Sequence, residues 1–155
     1  MEGMGGMMRR SVEAAVLLAG MLAVMLGGAA AWAQSAAPDP TKVTLELNKL
    51  EPVGGNCRAY MVFVNPTKTA FTAFKLDVLV FDKDGVIQKR LAVDAAPLRA
   101  AKTSVKLFDI TGVACERIDR LLLNDFYDCG DASGRLTGCL DQVVTRTRTG
   151  AEFFM

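Results

Sequence analysis

The stretch FKLDVLVF at residues 74–81, followed by DKDG at 82–85, decides the fold class. Phe74, Leu76, Val78 and Val80 lie two apart and share one face of an extended chain, while Lys75 and Asp77 open the other. A period of two is the mark of a half-buried strand. The Asp-Gly step that follows offers positive φ without steric cost between two β-prone runs, which signals a hairpin. The return strand is VIQKRLAV, residues 86–93. Its polar centre, Gln88-Lys89-Arg90, suits an edge position, where charge discourages pairing with other chains.

Working outward, the same signature recurs. VTLEL at 43–47 alternates, and CRAYMVFV at 57–64 is aromatic and β-branched before Asn65-Pro66 stops it. TSVKLF at 103–108 alternates again, with Val105 and Leu107 expected to face inward. RIDRLLLNDF at 117–126 fits a short helix or a strand; a strand is expected, because every earlier unit is β. As a strand it puts Leu121 and Leu123 on one face and Ile118, Arg120, Leu122 and Asn124 on the other. Six strands are expected, near 43–50, 57–65, 73–82, 85–94, 103–109 and 117–125. Strands at this spacing with turns between them predict an all-β fold, an antiparallel β-sandwich. The end of the chain, residues 142–155, is polar and then apolar. It reads as a flexible C-terminal tail, with Phe153 and Phe154 as an alternative docking segment.

The first 33 residues have a different character. Arg9-Arg10 precede an uncharged block from Ala14 that ends Ala31-Trp32-Ala33, before Gln34. Positive charge, an apolar core and small residues at −3 and −1 describe a signal-peptide helix cut between Ala33 and Gln34. An uncleaved anchor is the alternative reading, and would be the only contact with a membrane. The arginine pair allows a twin-arginine route, but the residues around it fit that motif poorly, and the general secretory route is favoured. Residues 34–42 read as a disordered leader and 43–141 as the sandwich domain. A periplasmic address follows, in a Gram-negative bacterium.

The compartment governs the chemistry of Cys57, Cys115, Cys129 and Cys139. In an oxidising space four cysteines read first as two disulfides, with three possible pairings. The favoured one is Cys57–Cys115 with Cys129–Cys139: the first would tie the starts of two strands, the second would close a short Gly- and Ser-rich loop. Closing the longer loop contributes roughly 3–4 kcal/mol in the chain-entropy description. No Cys-x-x-Cys is present to suggest a zinc ribbon or a redox pair.

Catalytic groups are scarce. The chain contains no histidine, which removes Ser-His-Asp and Cys-His catalysis and histidine-ligated metal centres. A net charge of +1 argues against nucleic acid. Asp82 and Asp84 flank a turn, where Asp is favoured for local hydrogen bonding. Asp125, Asp128, Asp131 and Asp141 lack the spacing of a calcium loop and read as solvated acids. Arg99, Lys102, Arg117, Arg120, Arg146 and Arg148 are scattered and read as solubilising charge.

The segment 57–109, through VNPT at 64–67, the FKLDVLVFDKDG hairpin and the PLRAAKT loop at 97–103, resembles an Ig-like periplasmic module of the FxLYD type. The longer set VTLELNKLEP, NCRAYMVF and TSVKLFDI, with the late cysteines, resembles a group of alphaproteobacterial exported proteins labelled Tat pathway signal proteins, of unassigned function. The resemblance implies an Ig-like sandwich and an exported address; it carries no catalytic residue. The resulting expectation is a non-enzymatic protein without a cofactor. It would bind another envelope protein through strand edges, the Val86–Val93 edge and Phe153 and Phe154 among them. The alternative is a small-ligand or metal-ion carrier.

Overall fold

The computed structural model of the chain describes residues 39–155. The export segment with Arg9, Arg10, Ala33 and Gln34, and most of the leader, lie outside those residues. Residues 39–42 form a turn in which Asp39 accepts from the Thr41 amide and hydroxyl.

Among the described residues there are nine strands: β1 (Val43–Val53), β2 (Asn56–Asn65), β3 (Ala73–Phe81), β4 (Ile87–Asp94), β5 (Lys102–Ile110), β6 (Arg120–Asp131), β7 (Gly134–Arg135), β8 (Val143–Thr147) and β9 (Glu152–Phe154). Two sheets result, a sandwich-like all-β arrangement. The first has the order β5-β2-β1-β8; the second has the order β4-β3-β6-β7, with β9 also on β6. Consecutive strands pair antiparallel where a tight turn joins them. β8 on β1 and β9 on β6 are parallel.

The inner faces are apolar in alternation. Leu45, Met61 and Phe63 come from the first sheet; Phe74, Leu76, Val78, Val80, Leu121 and Leu123 come from the second. Phe74 sits at the centre, edge-on to Phe63, Phe71 and Phe126. Each such side chain contributes roughly 1.5–3 kcal/mol of burial. The β3–β4 turn forms as its sequence dictates. Gly85 adopts φ 76°, and Asp82 accepts from the Asp84 and Val86 amides. β4 is an edge strand, as its charged centre predicts.

The six antiparallel strands expected become nine among the described residues, with two parallel pairings, because residues 134–154 add β7, β8 and β9 to the sheets. Three further expectations need correction. Val105 and Leu107 face out, 54% and 52% exposed. β5 pairs Phe108 with Ala59 and Ile110 with the buried Cys57, so the opposite parity points into the core. Apolar residues occupy both parities of this strand, and the pairing with Cys57 and Ala59 decides between them. Second, residues 142–155 are not a flexible tail. β8 completes the first sheet, β9 joins the second, and Val143, Ala151 and Phe153 are buried. The sandwich domain therefore extends to the last residues. Third, the strand expected from 117 starts at Arg120, because Cys115–Arg117 form a short 3₁₀ turn.

The cysteines form Cys57–Cys115, Cα atoms 4.7 Å apart, and Cys129–Cys139, 6.6 Å apart. The first ties the start of β2 to the 3₁₀ turn before β6 and thereby links the two sheets. The second ties β6 to the 3₁₀ turn Cys139–Gln142. Two disulfides indicate an oxidising, extracytoplasmic environment. Among the described residues no helix is long and apolar enough to cross a membrane.

Candidate functional site

A sandwich commits its inner faces to the core, so what it can recognise depends on its outer faces and edges. The two outer faces differ in kind.

On the second sheet the central outward residue is Asp77. It is only 2% exposed, although it lies on the solvent side. Arg90, from the neighbouring edge strand β4, lies over it and donates from Nε to Oδ1 and from Nη2 to Oδ2, both at 2.8 Å. Asn124 of β6 donates to Oδ2 at 2.7 Å. The Arg90 bonds, with help from Asn124 and Tyr127, outweigh burial and hold the Asp77 carboxyl down at about 2. Arg90 also lies 5.6 Å from the Tyr127 ring centroid. This network cross-links three strands and leaves the carboxylate little capacity for a ligand. Of the other outward apolar residues, Phe81 and Phe154 pack on each other, with Arg120 over Phe81, while Ile87, opposite Phe81 on β4, stays 52% exposed.

The first sheet has the opposite character. Its outward residues form a grid read across the strands. Thr103, Val105, Leu107 and Asp109 of β5 lie beside Val64, Val62, Tyr60 and Arg58 of β2. These in turn lie beside Thr44, Glu46, Lys49 and Glu51 of β1. Charge collects on the β1 side and at the far end. Arg58 pairs with Asp109 at 2.7 Å, Lys49 with Glu51 at 2.7 Å, and Arg148 with Glu46 at 2.9 Å. Tyr60 donates to Glu51. The middle of the β2–β5 half is apolar: Val62, Val64, Val105 and Leu107. β5 is the last strand of its sheet. The apolar patch therefore borders an open backbone edge.

Next to that edge runs a concave surface lined by Pro97, Arg99, Lys102, Ser104, Val105 and Lys106. Its wall is rigid. Leu98 is buried and exchanges two backbone hydrogen bonds with Phe71. Buried Asn65 donates to the Arg99 and Thr69 carbonyls and accepts from the Thr67 amide and hydroxyl.

The residues singled out from the sequence are dispersed. Asp82 is saturated by its turn and by Gln88, and Asp84 is exposed beside it. Asp125 accepts from the Phe126 amide, and Asp131 closes the β6–β7 turn on Ser133, whose hydrogen bonds lower its pKa. Asp128 and Asp141 are exposed. Among the described residues, no group of Asp, Glu or Cys is gathered closely enough to hold a metal ion. Arg117 donates to Gln88, and Arg148 holds Glu46. Phe153 is 5% exposed and belongs to the core, so it cannot serve as a docking anchor. The exposed apolar residues at the β4 edge are Val86 and Ile87, beside the turn. Sequence reasoning missed the β2–β5 patch. The available signal was the Phe108–Ile110 pair, whose burial forces Val105 and Leu107 outward.

No protein-family model, curated protein or solved structure matches the chain.

Proposed function

We propose that the protein is a non-catalytic interaction module of the periplasm, an Ig-like sandwich that docks another envelope protein through the β2–β5 side of its first sheet. The observation that carries this reading is the pair Val105 and Leu107. Both are more than half exposed on a rigid, disulfide-held sheet, next to Val62 and Val64 and an open strand edge. Apolar groups gathered beside a strand edge are what recognition by strand addition uses. The Ig-like assignment draws support from the order in which the chain changes sheets: β2 to β3, β4 to β5 and β5 to β6 each cross over. Disulfides formed after translocation fit the general secretory route.

The test is a photo-crosslinking residue placed at Leu107 in cells that export the protein. A discrete adduct is expected there, and none from the same residue at Lys83 in the β3–β4 turn. No adduct at Leu107 sinks the reading.

A second reading, a small-ligand carrier, has its own observation. A pocket beside the Cys129–Cys139 disulfide has apolar walls from Phe126, Leu136 and Leu140, with Asp125 and Arg135 also lining it. Native mass spectrometry of the exported protein checks it. A bound mass that disappears in Asp125→Asn/Arg135→Gln would favour this reading over docking.

A further inference from the structure

We infer that the partner is recognised as an extended segment of alternating acidic and apolar residues that adds as a strand to the free edge of β5. This rests on the docking reading above and adds the chemistry of the occupant.

The inference comes from the two parities of β5. Lys102, Ser104 and Lys106 lie on one parity, Val105 and Leu107 on the other. Arg99 stands on the adjoining wall, fixed through its carbonyl by Asn65. The concave surface beside β5 thus carries Arg99, Lys102 and Lys106 and no carboxylate. Among the described residues these three cations form no ion pair. Lys106 donates one hydrogen bond, 3.0 Å to the Ala96 carbonyl, and an ammonium has two further protons to offer. A strand laid along β5 puts alternate side chains on the two sides of the sheet. One set then meets the cations and is best acidic. The other set meets Val105 and Leu107 and is best apolar.

The same geometry disfavours the pairing with a second copy that would best match the apolar residues. An antiparallel β5–β5 pairing that sets Val105 against Leu107 of another copy is centred on Lys106, and sets Lys106 against its own counterpart. Like charges directly opposite each other destabilise a strand pair. An inward-facing lysine on an edge strand is a known guard against self-association. Here it also selects the sign of the partner.

The experiment uses the protein purified after export and a fluorescent peptide of about ten residues alternating Glu and Val, read by anisotropy. Binding is expected, weakened at least about tenfold in Arg99→Glu/Lys102→Glu and in Leu107→Ser, and weakened by added salt. An alternating Lys and Val peptide should not bind. Methylation of alternate backbone amides of the Glu–Val peptide should abolish binding, and hydrogen exchange across residues 104–108 should slow when the unmodified peptide binds. Unchanged melting temperatures show that the variants are folded. Equal affinity for the Lys–Val peptide, or indifference to Arg99→Glu/Lys102→Glu, overturns the inference. So does binding to phosphatidylglycerol vesicles without binding to the peptide, or dimerisation lost in Leu107→Ser. If the Leu107 crosslink persists while the peptide fails, the acidic-strand chemistry is wrong and the docking reading stands. If both fail, both fall.

Discussion

The two outer faces of this sandwich present opposite solutions to the same problem. Each sheet has an edge strand that brings exposed side chains to the surface. On the second sheet the edge strand β4 turns Arg90 over Asp77, and the network with Asn124 closes the middle of that face, leaving Val86 and Ile87 exposed only beside the turn. On the first sheet the edge strand β5 leaves Val105 and Leu107 uncovered, and the charged pairs gather two strands away on β1 and at the Arg58–Asp109 end. A charge that binds its own neighbours stabilises the fold and is lost to recognition. Exposed apolar groups do the reverse. The difference teaches that one face spends its polar groups on its own fold, while the other leaves the apolar surface on which the proposed docking rests.

Substitutions can break that contrast, and the largest effect belongs to Asp77→Ala. Removing the buried carboxylate deprives Arg90 and Asn124 of their common acceptor and leaves a small cavity, and a loss of about 2 kcal/mol is expected by urea denaturation, water re-solvating the two exposed donors. A loss below about 1 kcal/mol would mean that the network merely decorates the surface.

Acid supplies the next test. The Asp77 pKa is lowered in the folded protein from 3.8 to about 2. Its stabilisation is therefore complete above pH 3.8 and is lost as pH falls through the folded value. By proton linkage this amounts to about 2 kcal/mol between pH 4 and 2. Asp77→Asn should flatten that limb of the stability curve. Some slope will remain, because Glu46 and Asp131 are also held below their ordinary values.

A smaller effect is expected from Arg90→Lys. It keeps the charge but cannot make the two-pronged contact, and should lower the urea midpoint by clearly less than Asp77→Ala does. The smallest belongs to the other face. Val105→Ser with Leu107→Ser should change stability by less than about 0.5 kcal/mol, because both side chains are already in water. The same pair should abolish the Leu107-dependent adduct. Equal stability losses on the two faces would erase the contrast.

Much of this was legible in the sequence for physical reasons. Where apolar residues occupy a single parity, as Phe74, Leu76, Val78 and Val80 do, the buried face follows directly. Leu121 and Leu123 were equally readable once the segment was taken as a strand. Where both parities carry apolar residues, as in β5, the answer depends on the register with β2, a contact made across many residues of chain. The final fourteen residues were opaque for a related reason. No turn motif announces that Val143–Thr147 will lie parallel to Val43–Leu47, since parallel partners are distant in sequence. The candidate surface was illegible for both reasons together. Arg99 and Lys102 read as two of several scattered cations, and nothing marks out Lys106, until the Leu98–Phe71 bridge and Asn65 set the loop beside the strand.

The parallel strands near the ends of the fold have a mechanical consequence. β1 carries the first strand residue, Val43, and β9 the last, Phe154; β1 is bonded to β8, and β9 to β6, all in parallel. Tension between Val43 and Phe154 pulls β1 and β8 along their lengths in opposite directions, so their hydrogen bonds are loaded together instead of one at a time. A hairpin pulled from its open end unzips; this arrangement must slide. Stretched between two anchorage points in single-molecule force measurements, the domain should therefore yield abruptly and at higher force than when pulled across the β3–β4 hairpin.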